Sequence, residues 1–114
     1  KLDAWVEAAL SFLRESPEQY GSIEALAGKV HLSSSRLAHI FKSEVGVPVR
    51  RYVLWAKMRR ALDLAIAGES LTSAALSAGF ADSSHLSRTV RSMTGIAPES
   101  LFRHRNRLIV HKDA

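Results

Sequence analysis

Two runs of hydroxyl, imidazole and basic side chains recur 49 positions apart, from Ser34 to Ser83. The first holds Ser34, Ser35, Arg36, Ala38, His39 and Lys42, and the second holds Ser83, Ser84, His85, Ser87, Arg88 and Arg91. Such sets can hydrogen-bond and neutralise charge; they are poorly suited to making or breaking bonds. A guanidinium can bridge both major-groove acceptors of guanine, serine and histidine make shorter and less discriminating contacts, and lysine or arginine can neutralise a phosphate. The partners that catalysis needs are missing. The chain has no HExxH, no GxSxG, no phosphate loop and no close carboxylate pair on one helical face. His31, His39, His85, His104 and His111 do not form a metal set. With zero cysteines, thiolate metal sites, disulfides and cysteine catalysis are excluded together. No enzyme is expected, and no catalytic residue, metal or cofactor is assigned.

Each residue also has a plainer reading. Serines at helix starts commonly cap the helix, which bears on Ser33, Ser34 and Ser83. Surface histidines such as His39 and His85 often do nothing. Trp5, Trp55 and Phe80, with apolar neighbours, read as core and not as stacking platforms. The weight on the functional side comes from repetition. SSRLAHIFKSEVGV from Ser34 and SSHLSRTVRSMTGI from Ser83 pair Ser35 with Ser84, Leu37 with Leu86, Lys42 with Arg91, Ser43 with Ser92, Gly46 with Gly95 and Val47 with Ile96. One supersecondary unit used twice explains such a match.

The elements that must position these runs follow from periodicity and punctuation. The stretch from Pro48 to Gly68 predicts one long connecting helix, with Leu54, Met58, Ala61, Leu62, Ala65 and Ile66 on one face. Pro48 suits its first turn and Gly68 its C-terminal cap. Arg50, Arg51, Lys57, Arg59 and Arg60 make the same helix strongly positive. Upstream, Asp3 can cap a first helix with Trp5, Ala8, Ala9, Phe12 and Leu13 as its apolar stripe, ended by Ser16-Pro17. Ser22 caps IEALAGKV, with Ile23, Leu26, Ala27 and Val30 inward. Ser33 caps the helix of the first polar run, whose Leu37, Ile40 and Phe41 face the core while Ser35, Arg36, Ala38, His39 and Lys42 face out. Downstream, Ser70 or Thr72 starts LTSAALSAG, and Asp82 caps the second run, anchored by Leu86 and Val90. Gly46 and Gly95 stop the two polar-run helices. Pro98 opens a last amphipathic turn or two with Leu101 and Phe102 buried.

No strand alternation is long enough to assign, so the expected class is all-α with about seven helices. Each repeat is a short helix, a tight turn and a second helix with a polar outer face, which is the grammar of a helix-turn-helix. Ala27 stands four residues before the turn residue His31, and Ala75 four before Gly79. The expected layout is a first helix-turn-helix subdomain over 1–47, the linker helix over 48–68, a second subdomain over 69–105 and a fraying tail over 106–114.

The net charge of +5 is unevenly spread. Residues 1–30 hold 3 basic against 5 acidic side chains, a net of −2, so residues 31–114 hold 13 against 6, a net of +7. That asymmetry points to a polyanion as partner of the repeat region. The 46% apolar content is globular. No apolar run reaches the roughly 18 residues of a bilayer span and no leader is evident, so a cytoplasmic setting is expected. The first residue is Lys, which fits a fragment of something longer.

With these residues in view, the chain resembles the AraC/XylS family of bacterial transcription regulators. LSSSRLAHIFKSEVGVPV, the long helix, AALSAGFADSSHLSRTV and GIAPESLFR carry the resemblance, over roughly residues 5–105. Ala75, Gly79, Phe80, Asp82, Ser84, Ser87, Arg88, Gly95, Pro98 and Arg103 stand at the places of the family's C-terminal signature. Leu86 and Val90 depart from it, standing where phenylalanines are usual and implying a slightly smaller second core. Ala38 is a minimal side chain at a position that often reads bases. The resemblance implies two helix-turn-helix subdomains whose recognition helices enter successive major-groove segments of double-stranded DNA. It further implies an activator that touches RNA polymerase, and in many relatives a separate N-terminal effector or dimerisation domain. An RNA-binding or protein-interaction helical module is the alternative. RNA readers usually rely on aromatic stacking, which the polar runs do not offer, and an interaction scaffold has no need of +7.

Overall fold

The computed structural model describes residues 3–96, and every regular element in that span is helical. In order these are α1 (Ala4–Glu15), a short 3-10 turn (Pro17–Gln19), α2 (Ile23–Lys29), α3 (Ser34–Val45), α4 (Val49–Ile66), α5 (Leu71–Ser77) and α6 (Ser83–Thr94). The all-α expectation holds. The helix expected from Pro98, with Leu101 and Phe102, and the tail lie outside the described residues. The chain divides into two compact units, Lys1–Ala56 and Lys57–Ala114.

In the first unit, α1 starts where Asp3 accepts the Trp5 backbone N–H at 2.8 Å. The Asp3 N–H itself donates to Glu44 Oε1 on α3, which ties the start of α1 to the last turn of α3. The buried face of α1 is Val6, Ala9, Leu10 and Leu13. This corrects the expected stripe: Ala8 and Phe12 are only half-buried and Trp5 is 46% exposed. Trp5-Val6, Ala8-Ala9-Leu10 and Phe12-Leu13 supply two overlapping stripes, so the period alone cannot choose between them. Val6 and Leu10 bury no polar atom, whereas an indole N–H needs a partner when buried, and the aliphatic stripe turns inward.

Both α2 and α3 pack on α1 and on each other. Leu26, Ala27, Val30, Leu37 and Phe41 join Tyr20 and the α1 residues in one core. Val49 and Val53 from the start of α4 complete it. The Phe41 and Tyr52 rings meet edge-on at 5.6 Å. Leu37 and Phe41 are fully buried, each worth about 1.5 to 3 kcal/mol in removed apolar surface. They fix which way α3 faces.

Helix α4 runs unbroken across the boundary between the units. The Pro48 carbonyl accepts the Tyr52 N–H at 3.1 Å, so Pro48 stands just before the first turn, not within it. Met58, Ala61 and Ala65 are buried as expected, Leu54 and Leu62 are half-buried, and Ile66 is 55% exposed. Trp55, expected in the core, is 41% exposed with its ring 5.7 Å from that of Tyr52. The helix ends as predicted at Gly68, whose φ of 114° is open to glycine. The Gly68 and Glu69 N–H groups close back on Ala65 and Leu64 in a Schellman motif.

In the second unit α5 packs on α6. Ser70, not Thr72, caps α5 by accepting the Ser73 N–H at 3.1 Å. Ala74, Ala75, Ala78, Phe80, Leu86 and Val90 are buried there, with Thr89 as the buried polar residue. Phe80 is thus core, as expected. The largest fully buried side chains of this unit are Leu86 and Val90, against Phe41, Leu13, Leu26 and Leu37 in the first. Among the described residues the second core is built from smaller side chains.

Candidate nucleic-acid interface

The two hairpins, α2–α3 and α5–α6, turn by the same device. After α2, His31 adopts a left-handed φ of 60° and the Leu32 N–H reaches back to the Ala27 carbonyl at 3.1 Å. After α5, Gly79 adopts φ 97° and the Phe80 N–H reaches the Ala75 carbonyl at 2.9 Å. Both are the six-residue closure of a Schellman motif. The alanines that accept are buried, and their small size lets the second helix approach closely. From the left-handed residue to the next cap is two residues in the first hairpin, His31 to Ser33, and three in the second, Gly79 to Asp82. That inserted residue explains why the turns repeat 48 positions apart, His31 to Gly79, and the polar helices 49, Ser34 to Ser83.

The polar helices themselves coincide position by position. Ser33 Oγ accepts the Arg36 N–H at 3.1 Å, and Asp82 Oδ1 accepts the His85 N–H at 2.7 Å. Each helix then runs 12 residues. Each ends at a left-handed glycine, Gly46 at φ 96° or Gly95 at φ 75°, whose N–H donates to the carbonyl of Lys42 or Arg91. Leu37 and Leu86 are both fully buried, as are Phe41 and Val90, so the outward faces are set by the same anchors.

On α3, Ser35, Arg36, Ala38, His39 and Lys42 are all exposed and Ser34 is half-buried. The exposed set lies at the spacing of one helical face, widened by Arg36 and Ala38. On α6, Ser84, Arg88 and Arg91 are exposed, while Ser83, His85 and Ser87 are half-buried. His85 differs from its partner Arg36: its ring stands edge-on to Phe80 at 5.1 Å, so one side of the imidazole closes the core. Helix α6 carries no acidic residue, whereas α3 carries Glu44.

Two features escaped the sequence. Thr89 is buried, and its hydroxyl donates to the His85 carbonyl at 2.9 Å. Its place three residues after Leu86 was the available signal. Arg50 and Arg51, noted only as charge, are both exposed in the first turn of α4. The exposed tryptophans belong to α1 and α4, and neither α3 nor α6 exposes a Trp, Tyr or Phe. Among the described residues no group of three or more His, Asp or Glu could hold a metal ion, and no helix is long and apolar enough to cross a membrane.

Over residues 26–104 the chain matches the family model of a helix-turn-helix domain. It is 32% identical over 104 residues to the bifunctional transcriptional activator/DNA repair enzyme Ada of Escherichia coli (strain K12), across 91% of this chain and 28% of Ada. The chain therefore spans less than a third of that relative. The crystal structure of a transcriptional regulator from Chromobacterium violaceum, of the AraC-type DNA-binding domain-containing proteins, superposes with a TM-score of 0.81 at 26% identity. That match covers 89% of this chain and 91% of the other. The DNA-binding domain of AdpA, a global transcriptional factor crystallised with a target DNA, gives 0.79 at 19% identity over 90% of this chain and 94% of its own. At that identity the likeness is one of fold.

Proposed function

From a chain that belongs to the AraC-type helix-turn-helix family, we infer a module that binds double-stranded DNA by sequence and so regulates transcription. What supports this best is the shared register of α3 and α6. Two helices of the same length, with caps and buried anchors at matching positions, expose Ser35 and Ser84, His39 and Arg88, and Lys42 and Arg91 at matching positions. A structural repeat needs the anchors to match; it does not need hydroxyls and cations at the matching exposed positions.

In this reading Ser35, Arg36 and His39 of α3, and Ser84, His85, Ser87 and Arg88 of α6, meet base edges. Lys42 and Arg91, one turn from the C-terminal glycines, meet phosphates, and Ser34, Ser83 and Ala38 line the approach. Arg88 is the strongest base reader, since a guanidinium can hold both acceptors of guanine. The net of +7 over residues 31–114 supplies the sequence-independent attraction. The proposed layout is a first helix-turn-helix subdomain over 1–47 and a second over 69–105, with the 48–68 helix as linker. The test is a binding selection on random duplex DNA at two salt concentrations. An enriched motif supports the reading, and salt-sensitive binding without a motif overturns its sequence-reading part.

Activation by contact with RNA polymerase in the cytoplasm extends the proposal. A template carrying the selected site that yields no added transcript in a purified system counts against it. The DNA repair activity in Ada's name is that protein's own; no catalysis is proposed for this chain.

A further inference from the structure

We propose that Arg50 and Arg51 are a second phosphate clamp of the first unit, gripping the strand that flanks the groove entered by α3; this rests on the duplex-DNA reading above. Both side chains are exposed, whereas Val49 and Val53 beside them are buried and Tyr52 is half-buried. The start of α4 is therefore held fast while the guanidiniums stay in solvent. Its hold is on α3 itself. Val49 and Val53 share one core with Leu37 and Phe41, and the Tyr52 ring meets the Phe41 ring edge-on at 5.6 Å.

Reach follows from the length of the connection. From Gly46, which ends α3, to Arg50 is four residues, at most about 14 Å of chain. The major groove is about 12 Å wide. A chain leaving a groove-bound α3 thus passes the flanking phosphates with a long cationic side chain to spare.

The fold itself gives no reason for these charges. The first turn of a helix favours negative side chains and disfavours positive ones, yet α4 places two arginines there and no acidic residue. Neither guanidinium is ion-paired among the described residues. Nor does the repeat ask for them: the offset of 49 sets Glu99 and Ser100 against Arg50 and Arg51 in the sequence. A polyanion bound beside α3 offsets the unfavourable local field, and it predicts that the first unit contributes more than its share of salt dependence.

The experiment measures affinity for the selected duplex across a salt series, with Arg50→Gln/Arg51→Gln beside the parent. A second pair, Arg50→Glu/Arg51→Ser, copies the residues of the other unit. The Gln pair is expected to lower the slope of log affinity against log salt by between about 1 and 2, the release expected for one or two phosphate contacts. The Glu/Ser pair should lower it at least as much. In both, base preference stays as in the parent and the melting temperature does not fall. An unchanged slope overturns the clamp, and a lower melting temperature with unchanged slope assigns the pair to stability instead. A change of preference at one base position overturns it too, since the arginines would then be base readers. A parent that binds no duplex overturns the reading beneath, and is seen before any variant is compared.

Discussion

His31 and Gly79 hold the same backbone position, the left-handed residue that closes the first helix of each hairpin, at φ 60° and 97°. Only one of them is a glycine, so the two turns differ in strain while sharing geometry. A side chain in that conformation costs about 1 to 2 kcal/mol, and glycine gives back about 0.5 to 1 through the greater freedom of the unfolded chain. His31→Gly is therefore expected to stabilise the protein by about 1 kcal/mol and Gly79→Ala to destabilise it by a similar amount. Urea unfolding of the two variants beside the parent checks both signs, and a destabilising His31→Gly would show that the imidazole makes a contact worth more than the strain.

Much of this arrangement was legible in the sequence because capping and turn chemistry are local. Asp3, Ser22, Ser33, Ser70 and Asp82 all cap as their positions suggested, and every α3 residue expected to face out is exposed, with Ser43 and Glu44 in addition. What was not legible depends on the partner surface. On α1 two apolar stripes compete, and the presence of α2 and α3 decides between them. Trp5 and Trp55 read as core from their neighbours, yet both leave their rings partly in solvent. The same limit hid the Phe80–His85 ring contact, which joins the turn after α5 to α6 and leaves no trace in the period of the helix. It makes His85 a less free side chain than the repeat alone suggested.

Ser33 and Asp82 are caps by geometry, while Ser35 and Ser84, exposed at the second helical position of α3 and α6, accept no capping bond. Ser33→Ala and Asp82→Ala are each expected to cost about 0.5 to 2 kcal/mol. Ser35→Ala and Ser84→Ala should stay within about 0.5 kcal/mol of the parent and show their effect on DNA affinity instead. Thermal melts of the four variants, set beside their affinities, separate cap from contact. A loss of stability in the second pair as large as in the first would place those hydroxyls in the fold and not at the interface.

Thr89 lends itself to a shape-conserving test. Its buried hydroxyl donates to a carbonyl four residues back, a bond that competes with the helix ladder and adds little. Thr89→Val keeps the volume and removes the hydroxyl, and should leave stability within about 1 kcal/mol of the parent. Leu86→Ala, three residues earlier and fully buried, should cost about 2 to 5 kcal/mol. Chemical denaturation of both distinguishes a hydroxyl held for convenience from one that organises the second core. A loss of several kcal/mol in Thr89→Val would mean the latter.

The outward positions of α3 and α6 are not copies: at the offset of 49, Arg36 corresponds to His85, Ala38 to Ser87 and His39 to Arg88. A single chain should therefore read an asymmetric site, and the two halves should weaken separately. Arg88→Ala is expected to cost about 1 to 3 kcal/mol of affinity and to relax preference at one base position. Arg36→Ala and His39→Ala should relax positions in the other half and leave the first unchanged. Lys42→Ala and Arg91→Ala, as phosphate contacts, should weaken all sequences alike and each lower the salt slope by about 1. Repeating the random-duplex selection with each variant reads out all five. If Arg88→Ala instead lowers specific and random binding equally, Arg88 is a phosphate contact like Arg91, and the second half of the motif must be read by Ser84, His85 and Ser87.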